Sequence, residues 1–162
     1  MKVLFLDIDG VLNSSRTKSL YGDISSPQDV IEATELTHDT LKFDKSAMVL
    51  LKYILEHNQI SVVISSDWRL FLSENQLIDI FKVYDINLTQ KLIGVTPYID
   101  CHEHTCRGDD IEQWINHCYF DVDELILDDY YDFYPNQNVL LIDGDIGFGC
   151  VYLDKVIQWI NS

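Results

Sequence analysis

A chain of 162 residues that is 47% hydrophobic and 12% aromatic carries enough apolar mass for one ordinary globular domain without disulfides or structural metal. Its 27 acidic against 11 basic residues give a formal net charge of −16, which opposes sequence-independent adhesion to phosphate backbones and anionic membranes. No secretory leader is readable in Lys2 and the short run Val3–Leu6, no apolar stretch reaches the roughly 18 residues of a spanning helix, and four cysteines in such a chain read as reduced thiols of a cytoplasmic protein.

In chain order, Val3–Leu6 is the first of several short, continuous apolar runs rich in β-branched residues, the signature of strands buried on both faces. Residues 11–43 follow with little periodicity and many Ser, Thr and Asp, an extended flap or mini-cap with a short helix over 27–35. Asp44 then caps a helix whose stripe is Ala47, Met48, Leu51, Ile54 and Leu55, closed by His57-Asn58. Ile60–Ile64 is the second strand. Ser73 and Gln76 have capping-box spacing ahead of Leu77, Ile78, Phe81 and Tyr84. Leu92–Val95 reads as a weaker strand. Asp109 and Glu112 are spaced to cap a helix bearing Ile111, Trp114, Ile115 and Cys118. Leu125–Leu127 and Val139–Ile142 complete the strands, and a helix over 152–160 ends the series. Strands alternating with helices imply an α/β, three-layer Rossmann-like fold with a central, mostly parallel sheet, in one domain over residues 1–162.

In such sheets ligands sit beyond the carboxyl ends of the strands, so the polar residues that stop each run matter most. These are Asp7 and Asp9, Ser65 and Ser66, Asp128 and Asp129, and Asp143 and Asp145. Carboxylates gathered at one edge repel unless a cation neutralises them, and an all-oxygen donor set suits Mg²⁺. In Asp7-Ile8-Asp9-Gly10-Val11 the period-two backbone puts both carboxylates on one side, and Gly10 permits a sharp departure from the strand. One of the two could attack phosphorus while the other protonates the leaving oxygen and then activates water. Spacing alone does not say which.

Asp-Ile-Asp-Gly-Val after a buried strand, Ser ending the second strand, a basic residue before a helix and Asp-Asp ending the next strand together resemble the haloacid dehalogenase (HAD) phosphohydrolase superfamily. The resemblance runs over nearly the whole chain in the correct order. It implies a phosphomonoesterase working through an aspartyl phosphate, with Asp7 as nucleophile and metal ligand. Asp9 would be the general acid/base, with its backbone carbonyl on the metal. Ser65, with Ser66 as the rival, would bind the phosphoryl group from the end of the second strand, and Gly10 would contribute to the phosphate site after the first. Arg107, directly ahead of the helix near Asp109, would hold phosphate, and Asp128 with Asp129 would complete the Mg²⁺ site. The strings Ser65-Ser66-Asp67-Trp68-Arg69 and Arg107-Gly108-Asp109-Asp110-Ile111-Glu112-Gln113-Trp114 are also similar to the small HAD branch of RNA-repair fusion proteins.

No gap is long enough for a large cap domain, and capless members of the superfamily have open sites that take large substrates. Net charge then favours a phosphoprotein, including phosphotyrosine, over a polynucleotide end or nucleotide, although Arg16, Lys18 and Arg69 could form a local basic rim. A non-catalytic phosphate-binding module is the alternative of another class. Asp7–Lys18 is no EF-hand, since Lys18 stands where the calcium loop needs Glu. Asp143-Gly144-Asp145 reads as a turn, and Trp68 and Trp114 as packing residues. Cys101, His102, His104 and Cys106 are zinc-type ligands, but four crowded into six residues can hardly all reach tetrahedral positions around one ion. Cys106 and His104, adjacent in sequence, raise cysteine nucleophilic catalysis as a rival, for which adjacency alone supplies no geometry.

Overall fold

The structure, a computed structural model, describes residues 1–23, 25–99 and 106–162. Cys101, His102 and His104 lie outside the described residues. Five strands, β1 (Lys2–Leu6), β2 (Ser61–Ile64), β3 (Leu92–Val95), β4 (Asp123–Asp128) and β5 (Val139–Leu141), form one sheet in the order β3-β2-β1-β4-β5. Every pairing is parallel, as the unbroken apolar runs require. In the centre Leu4 faces Val62 on one side and Leu125 on the other, so side chains of equal parity stack across three strands.

Because successive residues alternate faces, the same strands supply two cores. Leu4, Leu6, Val62, Ile64, Leu125 and Leu127 face the larger one. It is roofed by α3 (Lys45–His57), α4 (Glu74–Lys82) and α6 (Cys150–Asn161). Val3, Phe5, Val63 and Ile126 face the smaller one, covered by Ile111, Trp114 and Ile115 of α5 (Arg107–Asn116). Phe5 and Trp114 meet edge to face at 5.4 Å, an aromatic pair worth roughly 1 kcal/mol beyond its area burial. The chain moves outward from β1 through β2 to β3, then crosses back to β4. Keeping the crossovers right-handed therefore requires α5 on the face opposite α3 and α4, where it is found.

The caps follow local chemistry. Asp44 Oδ1 accepts from Ser46 N at 2.9 Å and Ala47 N at 3.3 Å at the start of α3. Ser73 and Gln76 form the reciprocal capping box of α4. The expected start of α5 at Asp109 is corrected: the helix begins at Arg107 with Cys106 as its N-cap residue. Cys106 makes no side-chain cap, and the orphan donors are met from another segment. Asp132 accepts Arg107 N at 3.2 Å through its carboxylate and Gly108 N at 3.0 Å through its carbonyl. Arg107 is thus the first residue of the helix, and Asp109 and Asp110 sit in its first turn, where negative charge suits the dipole.

Residues 11–43 hold two short helices, α1 (Ser15–Tyr21) and α2 (Pro27–Glu32). The second ends before the expected Glu35, because the backbone is extended at Ala33. This segment is tied down at both edges. Ser15 N and Arg16 N donate to the carbonyls of Gly144 and Asp145 at 3.1 and 2.9 Å. Tyr84 Oη accepts from Phe43 N at 2.9 Å and donates to Leu41 O at 2.6 Å. No helix among the described residues is long and apolar enough to cross a membrane.

Candidate active site

The chain leaves β1 toward β2 on one side, whereas β4 continues to β5 on the other, so the crevice between the ends of β1 and β4 is the topological switch point. Asp7 follows β1, and Asp128 ends β4 with Asp129 just beyond. One carboxylate oxygen from each of the three lies within 4.8 Å of the others. Arg107 bridges two of them through Nη1, 2.9 Å from Asp7 Oδ1 and 3.0 Å from Asp128 Oδ2. Its Nη2 lies 3.5 Å from Asp67.

Burial sets the electrostatics. Asp7, almost inaccessible, is pushed up to about 7 by desolvation and then by repulsion from Asp128, with Arg107 and the Ser66 hydroxyl only partly offsetting this. Asp128, wholly buried, is raised by desolvation against the pull of Arg107, and Asp129 by desolvation reinforced by Asp9. Arg107 moves the other way: desolvation would lower it, but Asp7, Asp128 and Asp67 hold its proton more firmly. Three carboxylates that all resist ionisation around one guanidinium form a centre short of positive charge. Oxygen donors at this spacing fit a small hard dication.

Asp9 stands apart from that group. It is exposed, and both its oxygens are held: Oδ2 accepts from Trp68 Nε1 at 2.9 Å and Oδ1 from Asn13 Nδ2 at 3.1 Å. Asn13 is brought back by a tight loop in which the amides of Leu12 and Asn13 donate to Ile8 O at 2.7 and 3.0 Å. Gly10 is at φ +74° inside this loop, and a Cβ there would come within 2.1 Å of Asp129 Oδ2. Gly144 leaves room for the same carboxylate from the other side, since its Cβ would lie 2.4 Å from Oδ2. Both glycines form a cradle for Asp129 rather than merely turning the chain.

Ser65 and Ser66, at the end of β2, are both buried. Among the described residues Ser65 Oγ has no hydrogen-bond partner, whereas Ser66 Oγ accepts from Trp68 N at 3.5 Å and its hydroxyl favours the charged form of Asp7. Trp68 is packing, as expected, edge to face with Phe43 at 5.5 Å, and its indole N–H additionally fixes Asp9. Arg69 is no rim residue. Its guanidinium is buried, paired to Asp110 at 2.6 Å, and donates to Ser65 O at 2.7 Å and Thr96 O at 2.9 Å, so it fastens the end of β2 to the loop after β3 and to α5. Arg16 is engaged with Asp44. Lys18 is exposed and lines a cleft of about 540 Å³ with Asp9, Gly10, Asp129, Asp143 and Asp145.

Asp143-Gly144-Asp145 is a turn, with Asp145 N donating to Asp143 Oδ1 at 3.0 Å and Gly147 N to Asp143 O at 2.8 Å. Among the described residues Cys106, Cys118 and Cys150 carry free thiols. Burial pushes the Cys106 thiol up and its Sγ donates to Asp132 O at 3.1 Å, the reverse of an activated nucleophile. Sequence reasoning missed the holders of Asp9, Asn13 and Trp68. Only Asn13 had a local signal, four residues along the same turn.

The family described as the HAD domain in Swiss Army Knife RNA repair proteins matches residues 3–149. No curated protein and no solved structure matches the chain.

Proposed function

We propose that this chain, which belongs to the family of HAD domains found in Swiss Army Knife RNA repair proteins, is a Mg²⁺-dependent phosphomonoesterase that removes a terminal phosphate from a nucleic-acid end. The observation that carries this reading is the carboxylate cluster of buried Asp7 and Asp128 with half-buried Asp129, the first two bridged by Arg107 at 2.9 and 3.0 Å, at the switch point of a parallel sheet. Asp7, Asp128 and Asp129 would hold Mg²⁺, together with the backbone carbonyl of Asp9. When bound, the ion supplies charge neutralisation that lets an anionic nucleophile approach an anionic ester.

In the first step an Asp7 carboxylate oxygen bonds to phosphorus as the ester P–O bond breaks, and Asp9 delivers its proton to the leaving oxygen. In the second step Asp9 takes a proton from water as the water oxygen bonds to phosphorus and the Asp7–phosphorus bond breaks. Trp68 and Asn13 hold Asp9 in place for both transfers. Arg107 and the hydroxyls at the end of β2 bind the phosphoryl oxygens, with Ser65 Oγ the hydroxyl that has no other partner among the described residues.

Residues 1–162 act here as one catalytic domain, with 11–43 as a flap rather than a large cap, which leaves the site open. Openness and acidic charge also fit a phosphoprotein, but the family's RNA-repair setting favours a nucleic-acid end. The test is phosphate release from 3′- and 5′-phosphorylated oligonucleotides and from a phosphotyrosine peptide, with Mg²⁺, with EDTA, and with Asp7→Asn. Release that needs both the metal and Asp7, and is faster on an oligonucleotide, is expected. Turnover persisting in Asp7→Asn overturns the mechanism, and preference for the peptide overturns the substrate.

A further inference from the structure

Beside the carboxylate centre, and sharing Arg107 with it, runs a second cleft of about 430 Å³, within the size range of small-ligand sites. Tyr98 and Tyr130 line it, and both remain largely accessible, at 55% and 67%. Exposed tyrosines are ordinary on a mobile loop, but these stand on fixed backbone. Tyr130 follows Asp129 directly, and its amide donates to Asp128 Oδ1 at 2.9 Å. Tyr98 lies between Pro97, whose carbonyl accepts from Arg69 Nη2 at 3.3 Å, and Ile99, whose amide donates to Asp110 Oδ1 at 3.0 Å. The buried Arg69–Asp110 pair thus pins the chain on both sides of Tyr98. Two tyrosine side chains thus line the cleft beside the guanidinium paired to Asp7, on backbone that has little conformational freedom left to lose on binding.

The polar lining narrows the occupant. Asp67 and Asp132 face the cleft with Arg107. Asp67 is exposed and weakly engaged, 3.4 Å from Arg69 and 3.5 Å from Arg107, and Asp132 uses Oδ2 for the Arg107 amide at 3.2 Å. Carboxylates with spare acceptor capacity suit hydroxyl and amino donors and repel a second phosphate. A phenyl phosphate offers them no donor, whereas a nucleoside offers ribose hydroxyls, the groups acidic side chains bind in dinucleotide sites. The cleft that Asp129 lines with Asp9 and Lys18 has no aromatic wall among the described residues.

Resting on the phosphatase reading above, we propose that the Tyr98–Tyr130 cleft is a nucleoside subsite. The tyrosines stack the base of the phosphorylated terminal nucleotide, Asp67 and Asp132 accept its hydroxyl or amino hydrogens, and the neighbouring phosphates of the strand stay outside. Recognition then ends at one nucleotide, so a mononucleotide is handled as well as a long strand.

The test compares kcat/KM for adenosine 3′- and 5′-monophosphate with that for glycerol phosphate in wild type, Tyr98→Ala, Tyr130→Ala and the double variant. Calorimetric binding of adenosine monophosphate and of inorganic phosphate accompanies each. Losses on the order of 5- to 100-fold are expected for one or both nucleotides, with glycerol phosphate changed by no more than about twofold. Extending the nucleotide to an oligonucleotide should bring no further gain. Equal losses on nucleotide and glycerol phosphate, or none, overturn the subsite while leaving the phosphatase standing. If wild type hydrolyses nothing, calorimetry decides: nucleotide binding tighter than phosphate and lost in the double variant keeps the subsite and removes the phosphatase, and equal binding removes the subsite.

Discussion

Replacing Asp7 by asparagine should make the metal-free protein more stable while removing its activity. The Asp7 carboxyl rises from an ordinary 3.8 to about 7 because burial and Asp128 disfavour its charge more than Arg107 favours it. The folded state therefore holds the Asp7 proton more tightly than the unfolded chain does. Stability from this group is full below pH 3.8 and is lost as pH rises toward 7, at about 1.4 kcal/mol per pH unit. Across that window the ceiling is about 4 kcal/mol, and relaxation around a charged Asp7 lowers it, so a difference of about 2 kcal/mol is a reasonable expectation. Asparagine is nearly isosteric and can still accept from Arg107, so the substitution removes the charge and little else. The assay is urea unfolding of both proteins in EDTA from pH 4 to 8, read as the difference between them, in which the raised Asp129 and Asp110 largely cancel while Asp128, relieved of its repulsion by Asp7, adds to the gain of the variant. Adding Mg²⁺ should then stabilise wild type far more than the variant. A variant no more stable than wild type at pH 8 without metal would refute the claim that Asp7 is held as a strained charge.

Trp68→Phe keeps most of the buried ring but deletes the N–H that holds Asp9, so kcat should fall about 10- to 100-fold with KM little changed. The loss in kcat/KM, which reports the first transfer alone, should shrink for an aryl phosphate whose leaving group needs no proton, and an equal loss in kcat/KM on all leaving groups would show that Trp68 does not serve that proton transfer. Arg69→Met strands the buried Asp110 carboxylate and should cost about 3–5 kcal/mol in urea unfolding. A cost below about 1 kcal/mol would show that the pair does not fasten β2 to α5. Gly10→Ala puts a methyl into the space of Asp129 at a left-handed backbone position, so calorimetric Mg²⁺ affinity should drop about tenfold or more. Unchanged affinity would remove Asp129 from the metal site.

The strands were legible because burial on both faces leaves continuous apolar runs, and even the weak Leu92–Val95 segment forms a strand at the bounds expected of it. α3 and α4 were legible because their caps are local, within three residues of the first turn. α1 was not, since Ser15–Tyr21 has no apolar stripe: Thr17 alone is buried, and the helix is held by backbone bonds to Gly144 and Asp145 across the fold. The start of α5 was misplaced for a related reason, because its caps come from Asp132. In the site, the acids at the strand ends could be read from sequence, and the side chains that position them could not. Trp68 reaches Asp9 across 59 residues. Arg69, a basic residue in an exposed-looking string, is committed to carbonyls and a carboxylate that only the tertiary fold brings within reach.

The same distinction between local and summed charge bears on the substrate. A net charge of −16 weighs against a long polyanion lying along the surface, and this was the ground for expecting a phosphoprotein. At physiological salt, however, exposed charges more than about 10 Å apart are largely screened from one another, whereas a phosphate bound as proposed would meet Arg107 at contact distance. The field of the whole chain thus acts on the body of a nucleic acid and hardly on its terminal phosphate. Acidic residues in the Tyr98–Tyr130 cleft extend that bias into the site, where a carboxylate tolerates a ribose hydroxyl and rejects the next phosphate along the strand. An acidic surface is therefore compatible with the proposed end-processing activity: it disfavours binding along the strand and would leave Arg107 to hold the terminal phosphate.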